Sequence, residues 1–208
     1  MSGASLKQAI RQALFKRDYV RIAINPAEVG FIQYPEFRQR KRPFVTDTTQ
    51  ILAGDWDQPL ERKLVYGSVY EPADNQQRGM IPLQRYGFFT SLQQRFVEGR
   101  QWHETAWVDW LTMQATSSHP VRRYQTADAI KSRLAFLDRL YADFRAGNYR
   151  QDAEDLPVVN IGRQGRTAID DGRHRMCLAI LAGVDRLIAE CRVVHADAVS
   201  SLERRRVS

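Results

Sequence analysis

The sequence predicts an α+β fold, and three observations carry this prediction. A stripe of apolar residues at helical spacing spans 127–146, two short β-prone runs flank a turn at 162–166, and alternating apolar residues follow at 187–193. Together they predict a small mixed sheet with packed helices. At 208 residues and 43% hydrophobic content, the chain is long enough for one sizeable globular domain.

The first part of the chain alternates between weak strand and loop signals. Apolar residues at helical spacing predict a short amphipathic helix over 5–17, and the alternation at 19–24 predicts a strand ended by a turn. Residues 31–43 show no clear period, whereas threonines and branched residues at 44–52 favour another strand. The stretch 58–86 contains several Pro and Gly residues, so we expect it to be loop-rich.

Helical spacing returns from Phe88 to Phe96, and Gly99 stands where a helix C-terminus favours a left-handed residue. The strongest helix signal follows at 127–146. Thr126 is a suitable N-cap for that helix, and Gly147 is a suitable stop.

The last third changes period. The runs 158–161 and 167–169 predict a β-hairpin by their turn chemistry, and 176–182 predicts a short buried helix ended by Gly183. A closing strand is predicted at 187–193. We interpret 1–208 as a single domain with an insertion at about 30–125 and a core unit at 157–195.

Composition limits the classes of function. The net charge of +7 favours anionic partners such as nucleotides, nucleic acid or acidic membrane surfaces. The apolar runs are too short to span a bilayer and no secretory signal is evident, so we expect a cytoplasmic protein. The cysteines Cys177 and Cys191 lie in apolar segments and are expected to be core thiols. The four histidines have no zinc-site spacing, although a hard cation held by carboxylates remains open.

One motif carries chemistry, the run DDGRHR from Asp170 to Arg175, between the hairpin and the buried helix. Gly172 suits a sharp strand-to-helix turn, and Asp171 is a suitable helix cap. The first amides of a helix are unpaired donors, and arginine binds phosphate oxygens in a bidentate way. The motif therefore predicts a phosphate site, against the simpler alternative of a capped helix whose arginines pair with nearby acids.

The order of strand, turn, strand, DGRHR, short apolar helix, Gly183 and strand resembles the ParB/sulfiredoxin-like superfamily. Members carry GERR-type, GGCHR-type or DGHHR-type motifs at this place and include CTP-hydrolysing partition proteins, ATP-dependent sulfiredoxins and free-serine kinases. The resemblance covers 157–195, and the strand and Pro-containing turn at 21–29 match only loosely. GDWD at 54–57 and RFVEGRQWHET at 95–105 are similar only to members without an assigned activity.

Carried over by position, the resemblance implies that Gly172, His174 and Arg175 contact phosphates, with Arg173 in the variable slot. Sulfiredoxin chemistry requires cysteine in that slot, so sulfinic-acid reduction is not expected. The kinase-like DGHHR motif is more similar, and it implies that Asp171 lies beside the transferred phosphate or its Mg²⁺.

We therefore expect a phosphotransferase that uses ATP or another nucleoside triphosphate with Mg²⁺ and acts on a hydroxyl of a small molecule or sugar. Such chemistry needs phosphate neutralisation, a metal and an acceptor carboxylate. The candidate acceptor carboxylates are Asp55, Asp57, Glu98 and Glu104. Four tryptophans could form the floor of a sugar or base site, although at least two are expected in the core: Trp56, Trp102, Trp107 and Trp110.

Two alternatives stay open. The basic charge and the kinship with partition proteins favour a nucleic-acid-binding or nuclease-type protein, whose affinity would fall steeply with salt. No helix-turn-helix is evident after the 157–195 unit, which argues against it. The second alternative is a non-catalytic nucleotide sensor that keeps the phosphate site without an ordered acceptor carboxylate.

Overall fold

The computed structural model describes residues 17–37, 47–61, 63–64, 77–115, 126–149 and 156–207. The helix predicted at 5–17 lies outside these residues, except that Arg17 belongs to a short strand. The N-terminal part of the strand predicted at 44–52 and much of the region 58–86 also lie outside them.

The strands in the described residues form one large sheet and one two-stranded sheet. They are β1 (Arg17–Asp18), β2 (Val20–Ile24), β3 (Val29–Tyr34), β4 (Asp47–Thr48), β5 (Gln50–Leu52), β6 (Gly79–Pro82), β7 (Val158–Ile161), β8 (Thr167–Asp171) and β9 (Leu187–His195). The large sheet has the order β2-β9-β7-β8-β3-β6, with β5 also paired to β9, and β1 pairs with β4. Parallel and antiparallel pairs both occur, so the sheet is mixed.

The five α-helices of the described residues all place apolar side chains in one large core. They are α1 (Gly87–Phe96), α2 (Ala106–Ala115), α3 (Ala127–Arg145), α4 (Arg173–Ala182) and α5 (Val199–Arg205). The α+β class predicted from the sequence is confirmed. In the described ranges no helix has the length and apolar character that crossing a bilayer requires.

Elements with strong local signals lie where the sequence predicts them. Thr126 caps α3 by accepting a hydrogen bond from the Ala129 amide, and Gly147 follows with φ of 70°. The hairpin of β7 and β8 is antiparallel, as expected, and it pairs Ile161 with Thr167. Helix α4 begins three residues earlier than predicted, because it includes Arg173 to Arg175.

The segment 30–125 contributes more than an elaboration. Strand β3 lies between β8 and β6 in the sheet, although 31–43 shows no clear period in the sequence. Strand β6 comes from the region expected to be loop-rich. This segment therefore supplies strands of the main sheet in addition to α1 and α2.

The two faces of the sheet differ in character. One face packs against the helices in a large apolar core that includes Ile32, Ile169 and Ala189. The opposite face holds a smaller cluster around Trp56 and Val193, together with buried polar side chains. A residue's face therefore decides whether it stabilises the helix layer or this second, more polar layer.

Candidate functional site

The β8–α4 corner, residues 170–175, is built on a left-handed glycine. Gly172 has φ of 71° and ψ of 27°, and a Cβ at this position would lie 2.9 Å from the Cα of Pro157. Both the dihedral and the close approach favour glycine, because the atom in the way belongs to the backbone. The sequence predicts that this turn requires glycine, and the structure gives two reasons: the left-handed dihedral and the close approach of Pro157.

Asp171 is not the helix cap that the sequence predicts. The N-cap position of α4 is Gly172, and α4 has no side-chain cap hydrogen bond. Asp171 belongs to β8, and its Oδ1 accepts a hydrogen bond of 2.8 Å from the Gly172 amide. The left-handed turn moves the N-cap position from Asp171 to Gly172. The Asp171 carboxylate therefore lies beside the N-terminus of α4 without forming a capping hydrogen bond.

Arg173 lies in the corner, largely buried. Its Nη2 pairs with Oε1 of Glu36 at 2.5 Å, and the guanidinium lies 5.9 Å from the centre of the Tyr86 ring. Its Nε is buried and has no hydrogen-bond partner among the described residues. Burial alone would lower the pKa of Arg173, but the neighbouring Tyr86 and Glu36 raise it above its ordinary value. The guanidinium therefore stays charged.

Tyr86 forms a wall beside this arginine. It is buried at the junction of a short 3-10 turn and α1, and burial raises its pKa to about 12. Its hydroxyl therefore remains protonated at neutral pH and keeps its ability to donate a hydrogen bond.

His174 lies in an aromatic cluster. Its ring packs edge-on against Phe88 with centroids 4.8 Å apart, and the Trp107 ring is 6.4 Å away. These contacts fix the plane of the imidazole from the helix side. Arg175 is partly exposed at the same turn of α4. The phosphate contacts predicted for His174 and Arg175 stay predictions.

Glu36 is a residue of the corner that the sequence analysis missed. It follows β3, which runs parallel to β8, so both chains leave the same edge of the sheet. The amide of Phe37 donates to Oδ1 of Asp170 at 2.9 Å, which ties this chain segment to β8. The available signal was a carboxylate directly after a Pro that follows a strand, but 31–43 was not recognised as containing a strand.

A buried ion pair holds Asp170, which accepts the hydrogen bond from the Phe37 amide, in place. Asp170 accepts from Nη1 of Arg192, and Nε of Arg192 donates to the Tyr19 hydroxyl at 2.9 Å. Both charged side chains are almost fully buried. Breaking such a pair would leave an uncompensated buried charge, so the network fixes β8, β9 and the segment holding Glu36 to one another.

Asp55 and Asp57 do not join the corner. Both contact Arg163, which follows the C-terminal end of β7 after one intervening residue, Gly162. In the antiparallel hairpin that end lies beside Thr167, at the start of β8, whereas the corner lies beyond Asp171. The separation along β8 is about 13 Å, since a strand rises about 3.3 Å per residue.

Glu98 and Glu104 are engaged in local contacts. Glu98 pairs with Arg100 at 2.9 Å, and Oε2 of Glu104 accepts a hydrogen bond of 2.6 Å from the Gln101 amide. The latter contact is half of a capping box, which satisfies the start of a 3-10 turn. The structure therefore gives each of these carboxylates a role in the local fold.

The tryptophans are mostly structural, as expected for at least two of them. Trp107 is buried in the large core, and Trp56 is buried on the opposite face against Phe37. Trp102 donates its indole N–H to the carboxylate of Asp138 at 3.0 Å. The cysteines Cys177 and Cys191 are free and buried, which confirms that they are core thiols.

The fold and site together define an α+β protein with a mixed sheet and a glycine corner. At this corner begins a helix that has no side-chain cap and whose first residue is the largely buried Arg173. No protein-family model, curated protein or solved structure matches this chain. Within the described residues no group of three or more His, Cys, Asp or Glu is arranged to hold a metal ion.

Proposed function

We propose that the protein is a nucleotide-binding phosphotransferase that holds a phosphate group at the β8–α4 corner. The observation that carries this proposal is the start of α4, which follows a left-handed glycine, has no side-chain cap and lies beside the buried guanidinium of Arg173. Backbone amides at a helix N-terminus and an adjacent arginine are complementary to phosphate oxygens. Gly172, Arg173, His174 and Arg175 are the proposed phosphate contacts.

The corner also has a carboxylate suited to the chemistry. Glu36 can orient or deprotonate an acceptor hydroxyl, and it replaces Asp55, Asp57, Glu98 and Glu104 in that role because those four are bound elsewhere. Asp171 is the proposed ligand for Mg²⁺, which takes only one or two protein carboxylates when it is bound with a nucleotide. When bound, Mg²⁺ would neutralise developing charge on the phosphates.

We propose that the Glu36–Arg173 contact is one of two states of the corner. With the pair intact, the guanidinium is neutralised by protein. A phosphate that enters the corner competes with Glu36 for the same donors, and the carboxylate is then free to face the acceptor. This exchange supports a proposal in which binding of the nucleotide also prepares the base.

Binding is the first test, with ATP and CTP titrated by calorimetry with and without Mg²⁺. We expect Arg175→Ala to weaken nucleotide binding by about tenfold, the size of one lost charge-assisted contact. Arg204→Ala is the matched control, because Arg204 is exposed on α5 away from the corner. Equal affinity of the Arg175→Ala variant and the unaltered protein would overturn the phosphate assignment.

Turnover is the second test, followed as ADP or CDP released with and without a panel of hydroxyl acceptors. We expect Glu36→Gln to abolish acceptor-dependent release while nucleotide binding is kept or tightened, because Arg173 loses its competing carboxylate. Binding with no turnover for any acceptor would instead favour the nucleotide sensor, which the closed Glu36–Arg173 pair also supports. A shift of labelled DNA or RNA that survives moderate salt would favour the nucleic-acid alternative.

A cytoplasmic location belongs to the same proposal, since nucleoside triphosphates are the proposed substrates.

A further inference from the structure

Arg78 is a half-buried cation whose environment the fold alone does not explain. It directly precedes β6, and its guanidinium lies 4.0 Å from the centre of the Phe37 ring. Its one hydrogen bond within the described residues runs from Nη1 to the carbonyl oxygen of Pro35, at 3.5 Å. This distance is at the long limit for a hydrogen bond, so the contact is weak.

The charge of Arg78 has no carboxylate partner in the described part of the chain. A guanidinium carries five N–H donors, and here one of them has a long contact to a carbonyl. Burial lowers the pKa of Arg78, and among the described residues no carboxylate pairs with it to oppose that effect. By contrast, Arg173, Arg163 and Arg192 all pair with carboxylates. A partly desolvated cation with unused donors is the environment that an anion would complete.

Sheet register places Arg78 at the same edge as the corner. Gly79 pairs with Tyr34 across β6 and β3, and Ile32 pairs with Ile169 across β3 and β8. Tyr34 therefore lies level with Asp171, and Arg78 lies level with Gly172. Two strand spacings separate them, which is about 10 Å between backbones. An arginine side chain bridges much of such a gap.

The chain segment between these two cations is the one that carries Glu36. Arg78 contacts Pro35 and Phe37 on one side of this segment, and Arg173 pairs with Glu36 itself. Two guanidinium groups thus flank three consecutive residues, and within the described ranges only that of Arg173 is balanced by a carboxylate.

We propose that Arg78 binds a second anionic group, a phosphate or a carboxylate. This group belongs to the bound nucleotide or to the acceptor, and it is additional to the phosphate held at the β8–α4 corner. This inference rests on the proposed function and names a property of its ligands, namely two anionic groups spaced across the edge of the sheet. The second anion has two possible sources: the more distant phosphates of the nucleotide, or an acidic group on the acceptor.

The experiment compares Arg78→Gln and Arg78→Lys with the unaltered protein, and Arg139→Gln is the control because Arg139 is exposed on α3. Calorimetry with AMP, ATP and inorganic tripolyphosphate gives affinities that do not depend on catalysis. If the nucleotide supplies the anion, Arg78→Gln weakens ATP and tripolyphosphate about tenfold and leaves AMP unchanged. Arg78→Lys keeps the charge but loses the planar fork, so its loss is smaller.

If the acceptor supplies the anion, affinities for all three probes stay unchanged in Arg78→Gln. The KM for phosphorylated or acidic acceptors then rises about tenfold with kcat maintained, and the KM for neutral acceptors does not change. The inference is overturned if a folded Arg78→Gln variant matches the unaltered protein in every affinity and shows no such acceptor discrimination.

Failure of the proposed function gives a different pattern. In that case Arg175→Ala binds AMP and ATP as the unaltered protein does, whatever happens at residue 78. If only Arg78→Gln then lost tripolyphosphate binding, Arg78 would be an anion site and the β8–α4 corner would not be a phosphate site. Circular dichroism and melting temperature of both variants show whether either fails to fold.

Discussion

Arg163 clamps the buried carboxylate of Asp57 through both its backbone and its side chain. The Arg163 amide donates to Oδ2 at 2.6 Å, and Nε donates to Oδ1 at 3.0 Å. The same guanidinium reaches the Gly54 carbonyl at 2.7 Å and the exposed Asp55 at 2.8 Å. The GDWD turn is therefore fastened to the β7–β8 hairpin through one arginine.

This clamp predicts opposite results for two aspartates that share a partner. The Asp57 side chain is 0% exposed, and that of Asp55 is 80% exposed. We expect Asp57→Ala to lower the free energy of unfolding by about 2–4 kcal/mol, because it leaves a buried amide and a guanidinium without their acceptor. Asp55→Ala should leave the denaturant midpoint almost unchanged. Equal midpoints for the two variants would show that the clamp is not structural.

The titration of Asp55 gives a second prediction. The hydrogen bond from Arg163 is the main cause that lowers the pKa of Asp55 below its ordinary 3.8, with a smaller contribution from Gln58. A depressed folded pKa means that the stabilisation is present above the unfolded value and is lost as pH falls through the folded one. We expect NMR titration of Arg163→Gln to show the Asp55 pKa rising toward 3.8. Gln58→Ala should raise it less, and no rise in either variant would contradict the assignment.

Two left-handed glycines at the ends of α4 form a matched pair. Gly183 has φ of 72° with no atom within 4 Å of an added Cβ, whereas a Cβ on Gly172 would meet the Pro157 backbone. Gly183→Ala should cost about 1 kcal/mol of stability from the dihedral alone. Gly172→Ala should cost more and should also weaken nucleotide binding, because the corner must shift. Chemical denaturation and calorimetry measure both, and equal stability losses would refute the close-approach argument.

The thiols supply a fourth prediction. Burial raises the pKa of Cys177 and of Cys191 to about 12, so both stay protonated through the usual assay range. Because the thiolate is the reactive form, the native protein should not react with a disulfide reagent between pH 7 and 9. In denaturant both thiols should react at once. Rapid stoichiometric labelling of the native protein would mean that α4 or β9 opens locally.

What the sequence could predict was local. The hairpin, α3 with its Thr126 cap, and α4 with Gly183 all have turn or cap residues beside a clear hydrophobic period. Such signals depend on neighbours a few residues apart and need no knowledge of the tertiary fold. The glycine of the corner belongs to this group, because its left-handed conformation is a local property.

Strand β3 escaped detection because both of its faces are covered. Ile32 lies in the helix-side core, and the adjacent Gln33 is fully buried on the opposite face, where its Nε2 donates to the Gly79 carbonyl at 2.9 Å. Asn160 donates to Gln33 in turn and accepts from the Val193 amide. A buried polar residue of this kind breaks the alternation by which a half-buried strand is recognised. The partners that satisfy Gln33 are 23 to 127 residues away.

The surroundings of the predicted acceptor carboxylates also depend on the tertiary fold. Asp55 and Asp57 have suitable chemistry, but their position follows from the path of 52–60 across the sheet, which pairs Met80 with Leu60 and Gln58 by backbone hydrogen bonds. Glu36 gained its place through the parallel pairing of β3 with β8. Neither of these tertiary pairings can be predicted from the spacing of residues that are near in sequence.

Strand β9 has a consequence for how the molecule can be assembled. It is encoded near the C-terminal end of the described chain, yet it lies inside the sheet, with β2 and β5 on one side and β7 on the other. Val20 pairs with Cys191, so the first and last strands of the sheet close a very long loop. A ribosome-bound fragment that stops before Leu187 would expose β7 as an open edge, prone to aberrant pairing until synthesis passes His195.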